Sequence, residues 1–143
     1  MEITDMFQRD DETAALGRQA TALKNAKDWD GAISCLQEMK ERMWISPVNF
    51  GIDAWCRLAM VQQQAGRFDE SEQEFEKLLK ELPRLARKFS FMDEPDVYVN
   101  KPGKQAMCDQ IETTYSGIIK ERRELSRKRE ARKMAGLTKM RQT

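Results

Sequence analysis

Two stretches in the first half of this chain carry the same pattern of large and small residues at one fixed spacing. A chain that repeats itself in this way is restricted to architectures built by stacking copies of one unit. Leu16 corresponds to Trp55, Ala20 to Ala59, Ala26 to Ala65, Trp29 to Phe68, Ala32 to Ser71, Leu36 to Phe75 and Met39 to Leu78, each pair 39 positions apart. Within each copy the apolar residues recur every three or four positions, the spacing of one helical face. In the first copy Leu16, Ala20 and Leu23 are followed by the break Lys27-Asp28-Trp29-Asp30-Gly31, after which Ala32, Ile33, Leu36, Met39 and Met43 resume the stripe. In the second, Trp55, Leu58, Ala59 and Gln62 precede Gly66-Arg67-Phe68-Asp69, and Phe75, Leu78, Leu79 and Leu82 come after it. Each copy predicts two antiparallel helices joined by a tight turn. Asp11 or Thr13 is expected to cap the first helix, and Asp28 and Asp30 the second.

The second copy, with Trp55, Leu58, Ala59, Gly66, Phe68, Phe75 and Pro83, resembles the tetratricopeptide repeat, whose unit is a pair of helices of about 34 residues. Ser71 replaces the usual alanine, and Gln62 stands where an aromatic is expected. The first copy is a degenerate version carried by Leu16, Gln19, Ala20, Leu23, Trp29, Ala32 and Leu36. The longer spacing in this chain places an insertion at residues 43–51, where Ser46-Pro47 marks a helix start and Asn49 or Asp53 a later one. The resemblance covers residues 13–83 and implies an all-α fold: two hairpins, over about 13–45 and 52–83, followed by a capping helix. It also implies a concave groove lined by the first helix of each repeat, as the place where a partner binds. Carried over to this chain, the groove candidates are Gly17, Thr21, Lys24 and Asn25 from the first repeat, and Cys56, Met60, Gln63 and Gln64 from the second. The members of the family that clamp C-terminal carboxylates use Lys and Asn where Gly17 and Thr21 stand here, so the resemblance implies a partner of another class. Met43, Met60 and Trp44 are either adaptable contact residues or core.

After Pro83 the pattern stops. Leu85, Phe89 and Met92 predict a short amphipathic helix ended by Asp93-Glu94-Pro95, Val97-Tyr98-Val99 an extended segment, and Asn100-Lys101-Pro102-Gly103 a turn. Met107, Cys108, Ile111, Tyr115, Ile118 and Ile119 form one more helical stripe, suited to covering the bare apolar face of the second repeat. From Lys120 to Lys133 the chain is almost wholly charged, so this part is expected to project as a solvated helix or to fray, with Gly136 and the final residues disordered. The domain reading is therefore a helical-repeat domain over residues 1–119 and a basic extension over 120–143.

Charge divides the chain at the same place. The net charge is +1, yet residues 120–143 hold ten Lys or Arg against three acids, leaving −6 on the rest. Arg122, Arg123, Arg127, Lys128, Arg129, Arg132 and Lys133 lie within twelve positions, enough to engage phosphates or an acidic protein surface. Interleaved Glu121, Glu124 and Glu130 pair with them within the helix, and the segment lacks aromatic residues for base stacking.

Catalysis finds little support. The chain has no histidine, which removes the commonest general base, and no phosphate-cradling or nucleophile-elbow motif. Three widely separated cysteines without a C-x-x-C pair argue against zinc and for reduced thiols in a cytoplasmic protein. Asp28-x-Asp30-Gly31 is not a calcium loop, since its twelfth position is Met39. No apolar run reaches the length of a membrane span. The sequence thus points to a non-catalytic adaptor without cofactor or metal that binds another protein. The alternative is an accessory factor or inhibitor that contacts nucleic acid or a nucleoprotein through the basic helix, and self-association through that helix stays open.

Overall fold

In the computed structural model, which describes residues 9–96 and 100–142, the chain is a run of five helices, with no strand among the described residues. They are α1 (Asp11–Asn25), α2 (Trp29–Ile45), α3 (Ile52–Gln64), α4 (Phe68–Phe89) and α5 (Lys101–Gln142). Each helix packs on the next, and α5 also reaches back to α3. No helix among the described residues is long and apolar enough to cross a membrane. The all-α expectation holds. The expected extended segment Val97-Tyr98-Val99 lies outside the described residues.

The repeat in the sequence is also a repeat in the backbone. α2 and α4 begin 39 positions apart, at Trp29 and Phe68. In the turns before them, Lys27 and Gly66 both lie in left-handed backbone, at φ 60° and 80°. The following N–H then turns back to the preceding helix, Asp28 N to Leu23 O at 2.8 Å and Arg67 N to Gln62 O at 2.9 Å. This cap occupies carbonyls that a helix end otherwise leaves without donors. Glycine suits the position because it has no Cβ to clash; Lys27 adopts it at a cost. An ion pair between Arg67 and Asp30 joins the two turns.

Several local expectations change. Asp10, not Asp11 or Thr13, caps α1, accepting from Thr13 N at 3.0 Å and Thr13 Oγ1 at 2.7 Å. Hydrogen bonds from Ser46 and Thr13 hold the Asp10 carboxyl below its ordinary value. Asp28 alone caps α2, accepting from Gly31 N at 3.0 Å, while Asp30 points to Arg67. The 46–51 segment starts no helix; it is a strapped loop. Lys88 Nζ donates to Ser46 O at 2.9 Å and Asn49 Oδ1 at 2.8 Å, and Trp55 Nε1 donates to Phe50 O at 3.2 Å. The Asn100–Gly103 stretch is the first turn of α5, with the Asn100 side chain accepting from Gly103 N at 2.9 Å. Pro102 fits there because first-turn N–H groups have no intrahelical partner.

Pro83 does not end its helix. α4 continues through it to Phe89, so the separate short helix expected after Pro83 is the end of α4. A proline inside a helix costs about 3 kcal/mol. Beyond it Leu85, Ala86 and Phe89 are buried on the stripe that Phe75, Leu78 and Leu82 begin, and burying Leu85 and Phe89 returns roughly 1.5–3 kcal/mol each. Packing wins, and the proline itself faces solvent.

Trp55 occupies the middle of the core. It is buried and meets Trp44 of α2 edge-on at 4.6 Å between ring centroids and Phe89 of α4 at 6.4 Å; Phe89 in turn meets Tyr115 of α5 at 5.5 Å. Ser71, the counterpart of Ala32, is buried without penalty because its hydroxyl donates to Ala59 O at 2.7 Å. The one buried lysine joining α2 to α4 among the described residues, Lys40, lies 2.6 Å from Glu74 and 3.0 Å from Glu81. Truncating the central ring tests this arrangement: Trp55→Ala should cost about 3–5 kcal/mol in denaturant unfolding, against less than about 0.5 kcal/mol for a change at exposed Gln37.

Candidate interaction surface

α3 lies between α1 and α5, and a single arginine spans the first gap. Arg57 Nη1 donates to Gly17 O at 2.8 Å, and Nη2 reaches the Thr21 hydroxyl. Gly17 makes the approach possible: a Cβ there would stand 3.3 Å from both Arg57 Nη1 and Met39 Cε. On this side Thr21, Asn25 and Gln64 are exposed, and Lys24 and Met60 half-buried.

The other half of the expected groove is closed by the chain itself. Cys56 is 0% exposed and Gln63 only 7%, so neither is available to a partner. α5 runs antiparallel to α4 and over α3. Ser126, buried on α5, sits 3.6 Å from Met60 Sδ. Burial pushes the Cys56 thiol up to about 11, against the opposing pull of Arg122, so it stays protonated and inert at neutral pH. Met43 is core, while Trp44 is half-buried on the opposite side.

The basic segment likewise departs from a free, solvated extension. Arg123 donates to Glu72 Oε1 and Glu76 Oε2, each at 2.9 Å, and Arg127 Nε donates to Glu72 Oε1 at 2.9 Å. Arg122 pairs with Asp53 on α3, and Lys133 lies over the Phe68 ring at 5.6 Å. Two arginines four apart thus meet two glutamates four apart on an antiparallel neighbour. That complementary spacing is the signal in the sequence for Glu72 and Glu76; reading each charged face by itself misses both, and Asp53 with them. Burial raises the Glu72 carboxyl, but the hydrogen bonds from Arg127 and Arg123 outweigh it and hold the group below its ordinary value of 4.5.

Lys128, Arg129 and Arg132 remain exposed, with no ion pair among the described residues. The helix does not stop at Gly136; it continues to Gln142. α4 begins at Phe68, opposite Lys133, and residues 134–140 of α5 are exposed. The inward face of α5 runs through Cys108, Ile111, Tyr115, Ile119, Arg123, Ser126, Glu130 and Lys133 in steps of three and four. Leu137, 43% exposed, continues it, and Met134, 54% exposed, lies beside it. α5 therefore crosses the expected 119/120 boundary without a break, packed apolar upstream, ion-paired in the middle and exposing Met134 and Leu137 beyond.

Comparison of this chain with protein-family models, curated proteins and solved structures gives no match.

Two outcomes check the surface. Because the Glu72 value is depressed in the fold, its stabilising contribution is complete above 4.5 and is lost as the carboxylate protonates below it. An acid titration followed by amide shifts should therefore loosen residues 122–130 while residues 108–119 hold. A thiol-specific reagent should react with half-buried Cys35 in the native state and reach buried Cys56 and Cys108 only on unfolding.

Proposed function

We propose that the protein is a non-catalytic adaptor, a pair of tetratricopeptide-like hairpins with a capping helix that binds another protein in a reducing compartment such as the cytoplasm. The observation that carries this reading is the exposure of Met134 and Leu137 on α5. Both lie on or beside the very face that α5 buries upstream, and an amphipathic helix that exposes apolar side chains is a common way to engage a groove on another protein. The adjoining Thr21, Lys24, Asn25, Met60 and Gln64 form the open part of the surface between α1 and α3. They are the groove residues that remain accessible once Cys56 and Gln63 are covered.

A second reading rests on a different observation. Lys128, Arg129 and Arg132 face solvent together, away from the apolar side of the helix, as a phosphate-binding strip would.

The two separate in one affinity experiment with the full chain as bait. Under the adaptor reading, Met134→Glu with Leu137→Glu abolishes capture of a defined partner, Lys24→Glu weakens it, and reversing Lys128, Arg129 and Arg132 changes it little. If instead that charge reversal abolishes binding to duplex or single-stranded nucleic acid, and affinity falls steeply with salt, the nucleic-acid reading replaces it.

A further inference from the structure

The opposite side of the molecule holds a cleft that neither the groove nor α5 uses. It has a volume of about 230 Å³ and lies where the end of α2 meets the end of α4. Trp44, Arg84, Lys88 and Phe91 form its walls, and Arg87 on the rim is paired with Asp93. Arg84 stacks on Trp44 at 4.0 Å from the ring centre and has no carboxylate partner among the described residues. Lys88 also lacks one, since both of its hydrogen bonds go to the neutral acceptors Ser46 O and Asn49 Oδ1. Glu94 stands nearby without forming an ion pair with either. Two cations are thus left without a bonded counter-charge among the described residues, in a small cleft that the Trp44 and Phe91 rings share with charged side chains.

The apolar surface around it is unusual for a free rim. Phe91, which lines it, is 43% exposed, and Trp44 is only half-buried. Phe91 also lies in left-handed backbone, φ 56°, a conformation that side-chain-bearing residues rarely adopt. Its N–H donates to Lys88 O at 3.3 Å and that of Met92 to Arg87 O at 3.1 Å, the same cap that Gly66 makes elsewhere. A glycine would serve the cap better; a phenylalanine there presents a ring to the cleft mouth.

The start of α1 is beside this cleft. Glu12 pairs with Arg42 on α2 at 3.1 Å, and Asp10 lies near enough to Ser46, the residue whose carbonyl Lys88 grips, for that side chain to hold its carboxyl below the ordinary value. Residues 1–8, Met-Glu-Ile-Thr-Asp-Met-Phe-Gln, lie outside the described residues and join the chain at this point. They contain two carboxylates, Glu2 and Asp5, and the apolar side chains of Ile3, Met6 and Phe7. Eight residues span at most about 29 Å, ample for a cleft that adjoins their point of attachment.

We propose that this cleft is a docking site for a short acidic and apolar peptide segment, and that its occupant is residues 1–8 of the same chain. Glu2 and Asp5 supply the counter-charge that Arg84 and Lys88 lack, and Phe7 and Ile3 cover Trp44 and Phe91. Recognition of this kind joins an aromatic and arginine anchor to a charged rim, the composition typical of energetically dominant contacts.

The test uses the full chain and two-dimensional NMR. Cross-relaxation peaks are expected between the Phe7 or Ile3 side chains and the rings of Trp44 and Phe91. They should disappear, with a shift of the Trp44 indole N–H, in Phe7→Ala and in Arg84→Glu, both changes outside the core. A mixture of chains carrying different isotopes decides the source, and peaks confined to one chain support the proposal. Peaks between chains would overturn it in favour of exchange between two copies. Absence of the peaks, with a Trp44 signal unchanged by Phe7→Ala, would overturn it outright. Because the cleft is remote from Met134 and Leu137, failure here and failure of the adaptor reading are separate results.

Discussion

The fold depends on the Trp55 ring more than on any other single group. A helical hairpin cannot bury its own apolar face, so two hairpins persist only when something large fills the space between them. Trp55 does so from α3. It meets Trp44 of α2 and Phe89 of α4, its N–H holds the loop before α3 through Phe50 O, and Phe89 passes the contact on to Tyr115 of α5. Four helices and one loop are thus positioned by a ladder of edge-on aromatic contacts, each favourable beyond the area it buries. The equivalent position in the first copy is Leu16, half-buried, as befits a helix with a neighbour on fewer sides.

The last helix is held by different physics along its length. Near its start Cys108 and Ile119 are buried, and Lys104 is pinned by Glu94 O at 2.7 Å and Asp96 at 2.8 Å. Further on, attachment passes to Arg122, Arg123 and Arg127, while on α3 the carboxamide oxygens of Gln62 and Gln63 are buried without hydrogen-bond partners among the described residues, which costs free energy rather than supplying it. Partly exposed ion pairs contribute little each and are screened by salt. Attachment therefore weakens toward the C-terminal end, and local opening starts there.

Much of this architecture is legible in the residues. The 39-position pattern locates four helices and both left-handed turns, because small and large residues must alternate wherever two helices approach closely. Pro83 misleads, since local propensity ends a helix there whereas burial of Leu85 and Phe89 carries it on. The basic run misleads for a related reason. Composition describes a charged face but not the oppositely charged face across from it, and Glu72 lies 51 positions from Arg123. The groove residues are read from one helix at a time, so the closure of Cys56 and Gln63 by α5 lies beyond that reading. Gly17 stands out in the sequence as a departure from a family pattern; its physical role, making room for Arg57, emerges only with the neighbouring helix in place.

That arginine also leaves a charge in the gap between α1 and α3. Its two bonded nitrogens are satisfied by a peptide carbonyl and a hydroxyl, both neutral, and it has no carboxylate partner among the described residues. Geometry is thereby fixed while charge is left over. The gap between α1 and α3 is spanned by one guanidinium whose charge no bonded carboxylate among the described residues offsets, so the contact between the two repeats fixes a distance without neutralising the arginine that sets it.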